Sequence, residues 1–335
     1  MKVMALYKQA QIDSNPLVLE DWDIPEPGEK ELQVKVNCCG ICRTDLHIIE
    51  GELPLKRSPI IPGHQIIGIV KKAGKKCSKY KQGDKVGVAW LRKTCGTCSF
   101  CKSGFENLCE NSLYTGYHEH GGYSEYTLID EDFAYALPNN IDDVKTAPFL
   151  CAGIIGYRAW KKSKIVRGQT LALYGFGASA HIILQIARAH EVNVFVVSQR
   201  ENHQKLALQL GAVWTNSDPS KMPKLPDASI IFAPNGNLIP PALEYLKKGG
   251  RLVLAGIYMT DTPSLNYEKH LFYEKQIVSV TSNTREDGKE LFQEVLNIPI
   301  ETHVEQAPLE EANQLLQKLK HGTINGSGAL VIGKD

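Results

Sequence analysis

The chain has 335 residues, enough for two domains with separate cores. Hydrophobic residues make up 43% and charged residues 22%, as in an ordinary soluble globular protein, and a net charge of +1 without a long basic run leaves no footprint for nucleic acid. No apolar run reaches the ~18 residues of a membrane span, and no charged-then-apolar leader opens the chain, so a cytoplasmic protein with no membrane partner is expected.

In chain order, residues 1–150 are rich in β-formers, Gly and Pro. Residues 32–36 alternate like a half-buried strand and 66–70 read as a buried one, with Pro54, Pro59, Pro62 and Gly63 between them. Short strands so punctuated predict a barrel or sandwich. The texture changes at Cys151. An apolar strand at 170–174, a Gly-rich turn and a helix at 180–189 come first. A strand at 192–197, a helix at 202–210 and strands at 229–232 and 251–254 follow. Strands alternating with helices predict βαβ units and a parallel sheet, so the fold class is α/β plus β. The pattern stops near residue 280. The last fifty residues show one amphipathic helix, 309–319, and a terminal strand, 328–332, too little for a third domain. The expected division is 1–150, 151–285, and 286–335 returning to the first domain.

Cys95, Cys98, Cys101 and Cys109 lie within fifteen residues, inside a lobe spanning 92–112. Three thiols at a spacing of three, with a fourth one short loop away, can close on one tetrahedral zinc and leave no open position. Such an ion holds a loop and performs no chemistry. Disulfides are the bland alternative, but nine cysteines is an odd number and no export signal is seen.

Gly175-Phe176-Gly177-Ala178-Ser179-Ala180 is the G-x-G-x-x-A form of the dinucleotide fingerprint. Gly175 allows the tight turn, Gly177 the approach of backbone to pyrophosphate, and Ala180 the packing of helix on strand. It follows a predicted strand and opens a predicted helix, the context the motif requires. At the end of the next strand an NAD site carries an acid for the ribose hydroxyls. Here Val197 is followed by Ser198, Gln199 and Arg200. A carboxylate would repel a 2′-phosphate, whereas Ser198 can hydrogen-bond it and Arg200 can pair with it. NADP is therefore favoured over NAD.

Cys42, His64 and Cys151 are candidates for a second, reactive metal, since two thiolates and an imidazole leave a fourth position open. Spacing alone does not select Cys42 over Cys38, Cys39 or Cys77. Read together, Cys42-Arg43-Thr44-Asp45, Gly63-His64-x-x-x-Gly68, the four-cysteine lobe, Cys151 and Gly175–Ala180 resemble a zinc-dependent alcohol dehydrogenase of the medium-chain dehydrogenase/reductase superfamily, essentially end to end. The resemblance implies a GroES-like barrel as catalytic domain, a Rossmann cofactor domain with a doubly wound parallel sheet, and an active site in the cleft between them.

It also implies two zinc ions per chain, the catalytic one on Cys42, His64 and Cys151. Asp45 would fix the tautomer of His64, Thr44 take the alcohol proton, His47 pass it towards solvent, and Arg43 lie near the cofactor pyrophosphate. The implied reaction is reversible hydride transfer between a small alcohol, aldehyde or ketone and NADP(H), in a homodimer or homotetramer. An NAD-dependent alcohol or polyol dehydrogenase is the nearest alternative. A zinc-free reductase or a non-enzymatic nucleotide-binding scaffold would lack the thiols or the Thr44–His47 pair. Three positions depart from the family: Gln65 replaces a common Glu, Ile155 a frequent Thr beside the nicotinamide, and no Arg stands around 325–328. Trp90 and Tyr117 are candidate pocket walls.

Overall fold

The computed structural model describes residues 1–324 and 326–333, so Asn325, within the stretch that lacks the arginine, lies outside the described residues. The chain divides into two compact units. One comprises Met1–Cys151, Ser282–Lys289 and Glu301–Asp335, and the other Ala152–Thr281 and Glu290–Ile300. Cys151 thus closes the first unit, and Glu290–Ile300 groups with the second.

The first unit is built on a sheet ordered Val304–Pro308, Ser327–Val331, Glu31–Ile41, Gln65–Ala73, Lys85–Val88, Ala134–Ala136, with Tyr126–Asp130 also paired to Glu31–Ile41. All its pairings are antiparallel except that of Val304–Pro308 with Ser327–Val331. Leu32, Val34, Val36, Ile66, Val70, Val86, Val88 and Ile129 fill its interior, which explains why the apolar positions recur at a spacing of two. Val36 pairs with Gly68, where an added Cβ would meet the Lys35 carbonyl at 2.2 Å, so the two strands approach more closely than any side chain permits. The pairing skips Asn37, and this bulge resets the register so that Gly40 faces Gln65.

The second unit carries six parallel strands in the order Trp214–Asn216, Asn193–Val197, Thr170–Tyr174, Ala228–Ile231, Arg251–Leu254, Gln276–Ser279. Numbered along the chain this is 3-2-1-4-5-6, the doubly wound order that was expected. Thr170–Tyr174 is buried throughout, so it reads as a continuous apolar run rather than an alternating one. The helices Ala152–Ser163 and Ala178–Ala189 meet at Gly156, where a Cβ would lie 2.8 Å from Ile183. Among the described residues no helix is long and apolar enough to cross a membrane.

The tail differs from expectation. Besides the helix Ala312–His321, entered through a 3₁₀ turn at Leu309–Glu311, it contains a helix Arg285–Val295 and a strand Val304–Pro308. The helix Arg285–Val295 is polar, with Leu291 and Phe292 as its buried apolar residues, and carries Gly288 in its middle. It starts because Thr284 and Asp287 cap it reciprocally: the Asp287 amide donates to Thr284 Oγ1 at 3.1 Å and the Thr284 amide to Asp287 Oδ2 at 2.9 Å. Gly288 is required because a Cβ there would lie 2.4 Å from the Tyr135 ring.

Candidate functional site

Where the long strand Glu31–Ile41 ends, Cys42 caps the helix Arg43–Glu50. Its Sγ accepts the Thr44 amide at 3.3 Å, and its own amide donates to Asp45 Oδ2 at 2.8 Å. One motif therefore starts the helix and aims the thiol. His64 is delivered by Gly63, whose φ of +95° only glycine adopts without strain and whose Cβ would strike Tyr123 at 2.4 Å. The Gly122 amide donates to the Gly63 carbonyl at 2.9 Å and the Tyr123 amide to Pro62 at 3.0 Å, pinning that turn. Cys151 follows the short 3₁₀ turn Ala147–Leu150.

These elements, all in the first unit, bring three donors together. Cys42 Sγ lies 3.2 Å from His64 Nε2 and 3.9 Å from Cys151 Sγ, and all three atoms fall within 4.8 Å of one another. Thiolates about 2.3 Å from a shared tetrahedral ion stand about 3.8 Å apart, so the donor set fits zinc. On its far side His64 Nδ1 meets Asp45 Oδ1 at 3.2 Å, and both residues are 0% exposed. Burial opposes ionisation of Cys42, but the Cys151 thiol, the His64 ring and the Thr44 hydrogen bond hold its thiol well below the ordinary range. Burial likewise opposes protonation of His64, yet Cys42 and Asp45 raise it to about 10. Cys151 is pushed up by donating to Cys42 and by burial. A cation taking this site displaces those protons.

Around the donors, Thr44 is buried in the first turn of the helix and His47 sits one turn on, its Nδ1 against the Glu52 carboxylate. Arg43 is exposed. Trp90 meets His64 edge-on with centroids 5.0 Å apart, and it stacks on Tyr114 at 4.9 Å and on Tyr117 at 5.9 Å. Gln65 is buried, and among the described residues its Nε2 has no hydrogen-bond partner. Cys38 and Cys39 are buried strand residues, and Cys77 stands apart from both clusters.

The second cluster is Cys95, Cys98, Cys101 and Cys109. The spacing of three lets two thiols accept from the amide three residues on: Cys98 N–H to Cys95 Sγ at 3.3 Å and Cys101 N–H to Cys98 Sγ at 3.5 Å. The Cys95 amide reaches Cys109 Sγ at 3.4 Å, and Cys95 Sγ lies 3.9 Å from Cys101 Sγ. Amides of Thr97 and Cys98 draw the Cys95 thiol down to about 6. Three residues before Cys109, Glu106 takes the Arg285 guanidinium at 3.0 and 2.6 Å and the Arg285 amide at 2.7 Å. That residue, invisible as a site feature in the sequence, anchors the lobe. All nine cysteines are free thiols.

In the second unit Gly175 adopts φ +86°, and Gly177 precedes the helix Ala178–Ala189 with an open face. Ala180 is fully buried at the start of that helix. The Gly175 amide donates to the Val197 carbonyl at 2.9 Å, which sets the fingerprint turn beside the end of the next strand. There Ser198 is 6% exposed; its carbonyl accepts from Gln204 Nε2 at 2.7 Å and its Oγ from the Arg200 amide at 3.4 Å. Arg200 is exposed and stands at the N-cap position of the helix Glu201–Gln209 without a side-chain capping bond. Ile155 is half-buried on the helix Ala152–Ser163.

The family described as "Alcohol dehydrogenase GroES-like domain" matches residues 28–139, and "Zinc-binding dehydrogenase" matches 180–297. The chain is 45% identical to "Probable alcohol dehydrogenase AdhA" of Mycobacterium tuberculosis, over 99% of this chain and 97% of that protein. Among solved structures it is similar to CAD from Helicobacter pylori complexed with NADP(H), with a TM-score of 0.88, 25% identity, and 99% of each chain covered. It is also similar to acetophenone reductase from Geotrichum candidum in complex with NAD, with a TM-score of 0.87, 26% identity, and 98% and 96% coverage. Both the sequence kinship and the paired GroES-like and Rossmann architectures lead to one conclusion: the chain belongs to the zinc-type alcohol dehydrogenases of the medium-chain dehydrogenase/reductase superfamily and is an oxidoreductase.

Proposed function

We propose that the protein interconverts a small alcohol with its aldehyde or ketone, using NADP(H) in preference to NAD(H), with one reactive and one structural zinc per chain. The observation that carries this reading is the Cys42–His64–Cys151 triangle backed by Asp45. Cys42, His64 and Cys151 would hold the reactive ion, and Cys95, Cys98, Cys101 and Cys109 the structural one. When bound, zinc supplies Lewis-acid polarisation of a substrate oxygen, and the nicotinamide accepts or returns hydride.

The chain's own groups do the rest. Thr44 receives the alcohol proton at its hydroxyl, and His47, three residues on and so on the same helix face, passes it outward. Asp45 keeps the His64 ring oriented with Nε2 towards the thiols. Trp90 is held by its stack with Tyr114 and Tyr117, and Tyr117 donates to the Pro54 carbonyl at 3.0 Å. A rigid aromatic wall beside His64 favours small substrates. Gln65 brings no charge near the thiols, and Ile155 offers an apolar surface in place of a hydroxyl.

Gly175, Gly177 and Ala180 would cradle the pyrophosphate, while Ser198 and Arg200 would hold the 2′-phosphate. An NAD-dependent enzyme is the second reading, favoured by Glu201, the first acid after the strand end. A substrate panel run with both cofactors separates the two. A second copy would cover the edge strand Gln276–Ser279, which among the described residues has one partner strand, contains no charge, and follows exposed Tyr267 and Phe272 in the chain. Nine free thiols fit a reducing cytoplasm.

A further inference from the structure

The helix Arg43–Glu50 ends at Gly51 with φ +96°, a left-handed conformation that turns the chain back on itself. The returning segment is fastened at several points. The Leu53 amide donates to the His47 carbonyl at 2.9 Å. Gln9 Nε2 donates to both the Ile48 and Leu53 carbonyls at 2.6 Å. The Ala10 amide reaches the Ile49 carbonyl at 3.0 Å. This construction presents the Glu52 carboxylate to His47 Nδ1. The His47 side chain is 16% exposed and that of Glu52 is 52% exposed, so the pair steps from the interior to solvent. Glu52 is thus a surface carboxylate whose backbone is fixed, and its partner is the histidine assigned above to proton transfer.

We propose that Glu52 is the positioning residue of the proton path: it holds His47 as the Nδ1–H tautomer and takes the proton out to water. The inference rests on the relay reading of Thr44 and His47. With Nδ1–H donated to Glu52 Oε2, His47 Nε2 carries the lone pair that accepts the proton handed on from the Thr44 side as that hydroxyl gains the alcohol's proton. The Nε2–H bond forms and the Nδ1–H bond breaks, its proton passing to Glu52 and from there to bulk water; Nε2 then loses its proton to water and Nδ1 regains one through Glu52, which restores the starting tautomer. No electrons move, and the carboxylate neutralises the transient imidazolium. The helix then bears two carboxylate–histidine contacts, one at each end. Asp45 at the buried end orients a metal ligand, and Glu52 at the wet end orients a proton carrier.

The test uses full-length holoenzyme with ¹⁵N-labelled histidine, as wild type, Glu52→Ala and His47→Ala. Two-bond ¹⁵N–¹H correlations report the His47 tautomer independently of turnover. Wild type should show Nδ1–H, and Glu52→Ala should shift to Nε2–H, the form an unconstrained imidazole prefers. Alcohol oxidation in Glu52→Ala should lose roughly three- to tenfold in kcat with little change in KM, the size of one hydrogen bond to a half-exposed, solvent-screened carboxylate, and imidazole buffer should restore it. A wild-type tautomer or a wild-type kcat in Glu52→Ala overturns the assignment. If His47→Ala also keeps its kcat, the relay itself is wrong; if His47→Ala is slow while Glu52→Ala is not, only the role of Glu52 falls.

Discussion

Asp45 stands directly behind His64, its Oδ1 3.2 Å from the ring Nδ1, while its other oxygen takes the Cys42 amide at 2.8 Å. One buried carboxylate therefore steadies two of the three proposed ligands, through a side chain and through a backbone. Asp45→Asn keeps the shape but loses the charge that fixes the tautomer. Loss of such a partner typically costs about 10- to 100-fold in metal affinity or activity. Zinc competition with a chelator should show faster release of one ion, and release at the wild-type rate would contradict the role.

The four-cysteine lobe predicts a separable loss. Cys95→Ala removes a thiol that accepts the Cys98 amide and lies 3.9 Å from Cys101 Sγ. One zinc should be released and residues 92–112 should become susceptible to limited proteolysis. Retention of both ions would break the assignment.

The proposed cofactor choice rests on Ser198, which follows the strand Asn193–Val197 where an acid would hold a ribose diol. Charge-assisted contacts to a 2′-phosphate make discrimination of about 1.5–3 kcal/mol reasonable, roughly ten- to a hundredfold in kcat/KM. Wild type should favour NADP, and Ser198→Asp should reverse the order by repelling the phosphate and accepting from the diol. Higher kcat/KM with NAD in the wild type defeats the preference and leaves the zinc chemistry standing.

Acid should destabilise the protein through His120. Burial, with Arg57 and Arg92 nearby, lowers it from 6.5 to about 4, and its Nδ1 accepts the Ile61 amide at 3.2 Å while the ring meets Trp22 edge-on. The unfolded chain binds this proton first, so the contribution is complete above pH 6.5 and is lost as pH falls towards 4. Its size is roughly 1–3 kcal/mol. Urea unfolding at pH 7 and pH 4.5 should show a smaller drop for His120→Asn than for wild type; equal drops would remove His120 from the account.

Much of this was legible in the chain because burial imposes simple patterns. The strands at 251–254 and 170–174 each carry a continuous apolar run after one polar residue, Arg251 and Thr170, since parallel strands are covered on both faces. The four-cysteine lobe announces itself because its ligands are local. The helix Arg285–Val295 was not legible: its apolar face is two residues wide, and Gly288 is present for Tyr135, 153 positions away in the chain numbering (288 − 135). Nor could spacing choose among Cys38, Cys39 and Cys42. The difference is that Cys38 and Cys39 lie within the strand, whereas Cys42 falls just past its end, at a helix cap that turns its thiol to His64. The Glu106–Arg285 anchor and the Trp90–His64 contact join residues distant in sequence, and no local pattern marks them.

The central claim is tested most directly by metal analysis and turnover of His64→Ala. The account predicts that one of two zinc ions is lost, that cofactor binding stays near wild type, and that alcohol-dependent NADP reduction falls by more than the ~10²–10⁴ typical of losing a general acid–base residue. Near-normal turnover in that variant, with zinc shown to be absent from the Cys42–Cys151 centre, would contradict it.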